Sequence, residues 1–317
     1  MSLKISIVSP SFNQGEFIED MILSFINQDY QNKELIIIDG GSTDSTIEII
    51  NKYQSYITYW ASEKDDGQSN AINKGLKQIT GDIFNWLNTD DILLPGALSE
   101  IAKSFECNEE VDILCGFCDY FHGNVDNVIY SNRTRIYRTI EETIIKKCIN
   151  QPSMFYRSSI LKSLNGLNDN LSCVMDLDLF YRYLLKNGLE NIRMSEKTFT
   201  KFRIHDSSKT NTLEDIFLRE ESQLIYFILK KMNINFLIYE YYKKSIKESI
   251  DFEIKINILN VKRFKLMLFE RDFISYFKSG NENLTKLAFW SLLFNAKNVY
   301  SLLYLRILYN LYMIRSK

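Results

Sequence analysis

The sequence predicts an α/β protein, with a mostly parallel sheet between layers of helices and a helical extension at its C-terminal end. Short β-branched runs alternate with amphipathic segments over residues 4–105, and strands that alternate with helical patterns indicate βαβ units. Beyond about residue 211 the sequence changes to long stretches rich in Lys and aromatic residues, with hardly any Gly or Pro. We therefore predict an α/β domain over residues 1–211 and a helical region over residues 212–317.

In the first half of the predicted domain each strand is followed by a helix. The predicted strands are Ile5–Ser9, Glu34–Ile38, Ile57–Ala61 and Asp82–Leu87, and the helices that follow them are Glu16–Gln28, Asp44–Tyr53, Gln68–Gln78 and Gly96–Phe105. In open sheets of this kind ligands bind outside the carboxyl ends of the strands. The polar segments after each strand are therefore the predicted location of the site.

The second half of the predicted domain contains a hairpin, a short strand and a helix. Two apolar runs within Val111–Tyr130 flank a predicted turn at residues 122–124, Gln151–Tyr156 begins as a strand, and Asp176–Lys186 has apolar residues at helical spacing. Cys115 and Cys118 have a CxxC spacing, but without a second pair we expect core residues rather than a zinc site. The odd and sparse set of five cysteines indicates a reducing compartment without a disulfide framework.

The charge distribution separates the two parts of the chain. The formal net charge of -2 combines about eight excess positive charges after residue 216 with about ten excess negative charges before it. Because the basic part is rich in aromatic residues, it suits packing or an anionic membrane surface better than nucleic acid. The segment Ala296–Ile314 is apolar on most sides, which leaves burial and membrane contact as alternatives.

The N-terminal residues show no signal-peptide pattern, and no run of about 18 apolar residues is present. We therefore expect a cytoplasmic protein, with a peripheral position at the cytosolic face of a membrane left open.

Acidic residues cluster where the predicted strands end. Asp39 closes the second strand, Asp65 and Asp66 follow the third, and Asn88-Thr89-Asp90-Asp91 follows the fourth. Carboxylates on one rim of a sheet repel each other unless a cation lies between them. A hard divalent ion, Mg²⁺ or Mn²⁺, accounts for the cluster and would also hold a substrate diphosphate. Taken alone, Asp90-Asp91 is also typical of a helix cap ahead of Pro95.

These segments resemble the signatures of the family 2 glycosyltransferases, which are inverting enzymes of the GT-A fold. The matching segments are Ser6–Gln14, Ile38–Asp44, Asp66–Gly75 and Asn88–Asp91, in the same order as in the family. The resemblance covers roughly the first two thirds of the chain. It implies a Rossmann-like GT-A domain with a nucleotide-sugar half over about residues 1–105 and an acceptor half over about residues 106–211.

The resemblance also implies roles for individual residues. Asp39 would hydrogen-bond the nucleobase, Asp90 would contact the ribose or sugar, and Asp91 would bind the metal that bridges the diphosphate. Since Asn88 occupies the first position of the DXD-like motif, Asp91 is the main predicted metal anchor. The residues assigned to the nucleotide-sugar are Ser9, Pro10, Asn13, Asp39, Asp66, Gln68, Asn88 and Asp90.

An inverting transfer needs a general base for the acceptor hydroxyl. Asp176 matches the family's acidic residue and is the predicted base, with Asp178 as the reserve; helix capping is the alternative for both. The resemblance makes His205 a second metal ligand, near Arg203 and Lys209, although a lone His is commonly structural. Gln151-Pro152-Ser153 resembles the family's acceptor-side loop, and an ordinary edge-strand proline is the alternative.

The predicted function is therefore transfer of a hexose, with inversion, from a nucleotide diphosphate-sugar to a hydroxyl of a glycan or lipid-linked acceptor. We expect a UDP-sugar donor and a role in cell-surface polysaccharide biosynthesis. The alternative is a non-catalytic nucleotide- or partner-binding module on the same fold. An oxidoreductase is disfavoured because Ser9–Gly15 lacks the GxGxxG turn of a dinucleotide-binding fold.

Overall fold

The chain forms two compact units. In this computed structural model the described residues are 2–206, 208–233, 259–279 and 285. One unit comprises Met1–Ile136 and Cys148–Phe217, and the other comprises Tyr137–Lys147 and Leu218–Lys317. The segment 137–147, which falls inside the predicted α/β domain, thus groups with the C-terminal residues.

A mixed sheet forms the centre of the first unit. In the described part of the chain it has nine strands, in the order β3-β2-β1-β4-β8-β6-β9-β5, with β7 also paired to β6. The strands β1 to β4 run parallel to one another, as do β6 and β9, whereas β5, β7 and β8 pair in the antiparallel sense. The predicted α/β class with a mostly parallel sheet is confirmed. The strands are β1 (Ile5–Ser11), β2 (Lys33–Asp39), β3 (Tyr59–Ser62), β4 (Ile83–Trp86), β5 (Ile92–Leu93), β6 (Ile113–His122), β7 (Val128–Arg133), β8 (Met154–Arg157) and β9 (Ile192–Ile204).

Helices connect most of these strands and continue toward the C-terminal end. They are α1 (Ile18–Ile26), α2 (Thr46–Lys52), α3 (Gln68–Leu76), α4 (Ala97–Glu106), α5 (Ile140–Lys146), α6 (Ser158–Ser163), α7 (Met175–Asn187), α8 (Lys209–Thr212), α9 (Glu214–Lys231) and α10 (Val261–Ser279). The predicted strand and helix pairs of the first half therefore form, with ends displaced by a few residues.

Two parts of the sheet differ from the prediction. Gln151–Ser153 forms a 3₁₀ turn instead of the start of a strand, and β8 begins only at Met154. Pro152 explains this difference, because it has no N–H to donate to a neighbouring strand. The long strand β9 was not predicted, since its buried and exposed residues do not alternate regularly.

The core of the first unit lies between the sheet and its helices. Apolar residues of β1 and β2, such as Ile7 and Leu35, are fully buried in one cluster with Met21 and Phe25 of α1 and Ile101 of α4. Packing on this scale holds the strands in register, so the residues at their carboxyl ends have determined positions.

All five cysteines are free, and Cys115 and Cys118 are buried. Burial raises the pKa of both thiols, so neither is poised to ionise as a redox or metal-binding thiolate. The prediction that the CxxC spacing marks core residues is confirmed.

The described residues of the second unit are mainly helical. Within it, Oε1 of Glu141 in α5 accepts a hydrogen bond of 2.6 Å from the backbone N–H of Asn260, just before α10. Of the helices that the structure describes, none combines the length and apolarity needed to cross a membrane. The apolar segment Ala296–Ile314 lies outside the described residues.

Candidate active site

A cleft of about 760 Å³ lies at the carboxyl ends of β1, β4 and β9. This is the rim on which the sequence places its polar segments. Of the predicted site residues, those that line it are Pro10, Gln68, Asn88, Asp90, Asp176 and His205. The other predicted site residues, Ser9, Asn13, Asp39, Asp66, Asp91 and Asp178, do not line it.

Asp39 is buried beneath the loop that follows β2. Its Oδ2 accepts hydrogen bonds from the backbone N–H groups of Gly41 (3.0 Å) and Ser42 (2.8 Å) and from the hydroxyl of Ser62 (2.7 Å). Its side chain is fully shielded from solvent. Asp39 therefore shapes this loop, and its side chain does not line the cleft.

Asp65 is the carboxylate that lines the cleft next to the loop after β2. It lines the cleft, and a Cβ built at Gly40 would be only 2.9 Å from its Oδ2. Gly40 thus allows the carboxylate to approach the β2 loop closely. Phe12, which is 59% exposed, lines the same part of the cleft next to Pro10. Sequence reasoning named Asp65 only as a member of the acidic cluster and gave Phe12 no role.

Asp90 and His205 form a contact across the cleft. Oδ2 of Asp90 lies 3.0 Å from Nε2 of His205, and the imidazole ring packs against Phe17 with ring centroids 4.7 Å apart. Both residues line the cleft. The pair unites a carboxylate oxygen and an imidazole nitrogen, which are both ligand types for a divalent ion.

Arg203 holds the two sides of this contact in position. Its Nη2 donates to Oδ2 of Asp20 (2.7 Å), and its Nε donates to the backbone carbonyl of Asp90 (3.3 Å). The guanidinium lies between the rings of Phe17 (5.0 Å) and Phe121 (4.7 Å). This buried cation is therefore fixed by both hydrogen bonds and cation–π contacts.

Asp91 lies behind Asp90 and is fully buried. Its Oδ2 accepts a hydrogen bond of 3.3 Å from Nδ2 of Asn88, while its Oδ1 has no hydrogen-bond partner among the described residues. Burial and the neighbouring Asp90 carboxylate raise the pKa of Asp91. The structure thus places Asp90, and not the predicted anchor Asp91, at the surface of the cleft.

A chain of side-chain hydrogen bonds joins Asn88, in the DXD-like motif, to Lys209 in α8. Nε2 of Gln68 donates to Oδ1 of Asn88 (2.7 Å), and Oε1 of Gln68 accepts from Nζ of Lys209 (2.8 Å). Lys209 also donates to the backbone carbonyl of Ser172 (3.3 Å). The Lys209 ammonium group is therefore held in the cleft by Gln68, which, like Asn88, is a predicted donor-site residue.

Three other predicted donor-site residues, Ser9, Asn13 and Asp66, lie outside the cleft. The Ser9 hydroxyl donates to the carbonyl of Leu87 (2.6 Å) and joins β1 to the end of β4. Oδ1 of Asn13 accepts from the backbone N–H of Thr43 (2.9 Å), which fixes the loop after β1 against the loop after β2. Asp66 is exposed to solvent.

Asp176 is half-buried in the cleft at the start of α7. Burial raises the pKa of its carboxyl to about 6, against an opposing effect of backbone hydrogen bonds. A carboxylate with a pKa this close to neutrality is suited to accept a proton.

Asp178 is two residues further on and has a different environment. Its Oδ2 lies 2.7 Å from Nη2 of Arg182 in a buried ion pair. Arg182 is also fixed by the backbone carbonyl of Gly166 (2.8 Å). Burial raises the pKa of Asp178 while Arg182 opposes the rise. Because the partner is internal and the residue does not line the cleft, Asp178 occupies a structural position.

The wall of the cleft at β6, β7 and β9 carries three aromatic residues, Tyr120, Tyr130 and Phe202. Gln151 and Pro152 also line the cleft, and Nε2 of Gln151 donates to the carbonyl of Trp86 (2.6 Å). The aromatic residues had no signal in the sequence, because the strand pairings that bring them together join residues far apart in the chain.

The chain belongs to glycosyl transferase family 2, since residues 6–164, half of its length, match the profile of that family. The resemblance inferred from the sequence motifs is thereby confirmed.

Among curated relatives, an uncharacterized glycosyltransferase of Rickettsia typhi is 25% identical over 66% of this chain. The GalNAc(5)-diNAcBac-PP-undecaprenol beta-1,3-glucosyltransferase of Campylobacter jejuni is 33% identical over 36% of this chain. The chain spans 66% of the length of the Rickettsia protein and 38% of that of the Campylobacter protein.

Solved structures share the fold at low identity. S. aureus TarS 1-349 in complex with UDP has a TM-score of 0.60 and 17% identity, covering 94% of this chain and 93% of that one. The mannosyltransferase PcManGT from Pyrobaculum calidifontis, in complex with GDP-Man and Mn²⁺, has a TM-score of 0.54 and 15% identity, covering 99% and 81%. These similarities support the GT-A assignment of the fold.

The neighbouring carboxylates Asp176 and Asp178 should differ in their effects on stability. Asp178→Asn removes the carboxylate that pairs with the buried Arg182 and should lower the free energy of unfolding by about 3–5 kcal/mol. Asp176→Asn should leave it unchanged or raise it, because burial disfavours the charged form of Asp176. Thermal denaturation of both variants at neutral pH measures the difference, and equal destabilisation would contradict the two environments.

Proposed function

We propose that the protein transfers a sugar, with inversion, from a nucleotide diphosphate-sugar to a hydroxyl of a saccharide acceptor. The observation that carries the proposal is that one cleft is lined both by Asp90, in contact with His205, and by Asp176 with its raised pKa. Such a reaction needs residues that could hold a metal ion, here Asp90 and His205, and a group that accepts a proton, here Asp176.

The nucleobase is assigned to the end of the cleft formed by Asp65, Phe12 and Pro10. Oδ2 of Asp65, beside Gly40, offers an acceptor for the imino N–H of a uracil ring, and the exposed Phe12 offers a face for stacking. This replaces the role first assigned to Asp39, whose oxygens are occupied by Ser42 and its neighbours.

A divalent ion is assigned to Asp90 and His205. The described residues hold no group of three or more His, Cys, Asp and Glu side chains that could bind an ion alone, so donor phosphates would supply further ligands. The imidazole nitrogen favours Mn²⁺ over Mg²⁺, because Mg²⁺ is usually bound by oxygen ligands alone. When bound, the ion would neutralise charge on the diphosphate.

Asp176 is assigned as the general base. It takes the proton of the acceptor hydroxyl while the hydroxyl oxygen bonds to the anomeric carbon and the bond from that carbon to the diphosphate oxygen breaks. Lys209, held by Gln68 and the Ser172 carbonyl, supplies positive charge to the departing nucleotide diphosphate.

Similar proteins support a choice of donor and acceptor. A UDP-sugar is favoured because TarS structures hold UDP and UDP-GlcNAc. A lipid-linked acceptor in surface polysaccharide synthesis is favoured because the Campylobacter relative is named for an undecaprenol-linked saccharide. A cytoplasmic or peripheral location accords with both substrates, and the Lys- and aromatic-rich C-terminal residues are the segment assigned to any membrane contact.

Nucleotide binding tests the donor site. In thermal-shift titrations with UDP-, GDP- and dTDP-sugars plus Mn²⁺ or Mg²⁺, a UDP-sugar should raise the melting temperature most. Asp65→Asn should raise the UDP dissociation constant about 10-fold or more, because it replaces a charged acceptor. Asp66→Asn is the matched control, since this neighbouring carboxylate lies outside the cleft. Equal weakening by the two substitutions would contradict the assignment, and binding without any donor hydrolysis would indicate a non-catalytic module.

Metal dependence tests the Asp90 assignment. Asp90→Asn should reduce Mn²⁺-dependent donor hydrolysis by about 100-fold and raise the half-saturating Mn²⁺ concentration, because it removes a cleft-facing ligand. Asp91→Asn should act mainly on the melting temperature. Hydrolysis is measured over a range of Mn²⁺ concentrations and after addition of EDTA. The opposite order of effects would return the anchor role to Asp91, and activity that survives both Asp90→Asn and EDTA would remove the metal from the proposal.

The pH profile tests the base. Only the ionised form of Asp176 accepts a proton, so kcat/KM for donor hydrolysis should fall about tenfold per pH unit below a pH of about 6 and level off above it. Asp176→Asn should lower the rate by about 10²–10⁴-fold and abolish this acidic limb. Steady-state rates over the acidic and neutral range give the profile. An acidic limb that persists in Asp176→Asn would assign the base to another residue.

A further inference from the structure

Three aromatic side chains form a row across neighbouring strands in the cleft wall. Tyr130 of β7 lies opposite Tyr120 of β6, and Tyr120 lies opposite Phe202 of β9. The Tyr120 and Tyr130 ring centroids are 4.4 Å apart with an interplanar angle of 14°, and those of Tyr120 and Phe202 are 5.0 Å apart at 39°. We call Tyr130, Tyr120 and Phe202 the aromatic row. All three residues line the cleft.

The outer member of the aromatic row is not used for packing in the core. Tyr130 is 49% exposed, although a large aromatic side chain gains most by burial. Behind it, Tyr120 is fixed by Nδ2 of Asn150, which lies 3.2 Å from its hydroxyl. Because the row is mounted on paired strands, it presents a rigid aromatic surface that needs little ordering when a ligand binds.

The aromatic row lies on the opposite half of the sheet from the proposed nucleobase site. Asp65 follows β3 and faces the loop after β2, at one end of the strand order, whereas β6, β7 and β9 lie beyond the central strands β1 and β4. Phe202 precedes His205 by three residues of extended chain, or about 10 Å. Asp90 and His205 therefore lie between the row and the proposed nucleobase site, and the row is on the side left for an acceptor.

Asn150 adds a polar group beside the aromatic row. It is 3% exposed and lines the cleft, and its Oδ1 has no hydrogen-bond partner among the described residues. A buried acceptor oxygen without a donor is costly. A hydroxyl group of a bound ligand is a donor that could satisfy it.

We propose that the aromatic row is the acceptor subsite and that it stacks against the apolar face of a pyranose ring. The C–H groups of a sugar ring carry slight positive charge and suit the negative face of an aromatic ring, while the sugar hydroxyls suit Asn150 and the tyrosine hydroxyl. This inference rests on the proposed glycosyl transfer and deepens it, because it names the residues that would hold the saccharide acceptor.

Binding of simple glycosides tests the subsite separately from the donor site. Saturation-transfer NMR with the methyl β-glycosides of glucose, galactose, N-acetylglucosamine and N-acetylgalactosamine, without nucleotide and then with UDP and Mg²⁺, should detect at least one bound glycoside. Tyr130→Ala should raise the dissociation constant of that glycoside about 10-fold, because it removes the aromatic ring. Tyr130→Phe should bind the glycoside nearly as tightly as the wild type does. Tyr130→Leu, which retains apolar packing on β7, should bind it as weakly as Tyr130→Ala does. Tyr59→Ala is the control, because Tyr59 is 40% exposed on β3 and does not line the cleft.

The two proposals fail in different ways. Lack of UDP binding, with glycoside binding that depends on Tyr130, would refute the donor site and keep the subsite. Absence of saturation transfer to every glycoside, or equal binding by wild type and Tyr130→Leu, would overturn the subsite whatever UDP does. If Tyr130→Ala does not fold, as judged by its melting temperature, the comparison of Tyr130→Phe with Tyr130→Leu decides the result.

Discussion

The contact between Asp90 and His205 is the interaction on which the cleft depends. It joins side chains 115 residues apart at 3.0 Å, and it exists because β5, which follows Asp91, pairs with β9 just before His205. Arg203 secures this meeting, since its guanidinium reaches Asp20 and the Asp90 carbonyl while it lies between two aromatic rings. A buried guanidinium with fixed partners tolerates little movement, so it holds the backbone of Asp90 beside the end of β9.

Neighbouring carboxylates divide into structural and cleft-facing members throughout the site. Asp39 is saturated by hydrogen bonds while Asp65 lines the cleft. Asp91 is buried behind Asp90, and Asp178 is paired with Arg182 while Asp176 faces the cleft with a raised pKa. The chemistry of the residue type is the same in each case. Burial and the available partners decide which carboxylate can meet a substrate and which one supports the backbone.

Structural features that depend on residues close together in the sequence could be predicted, whereas features that depend on distant residues could not. The strand and helix pairs from β1 to α4 were predictable because periodicity and turn residues are local signals. The strand β9 was missed because its burial pattern is irregular. The aromatic row was missed because it depends on the register of β6 with both β7 and β9, and strand register is set by tertiary packing.

The sequence by itself determined the α/β class, the position of the site at the strand ends and the membership of glycosyl transferase family 2, because all three are carried by contiguous motifs. Only the tertiary structure decided that Asp65, Asp90 and Asp176 face the cleft and that Asp39, Asp91 and Asp178 do not. The physical reason is that exposure, hydrogen-bond partners and pKa are properties of the surroundings of a side chain, and those surroundings come from residues far apart in the chain.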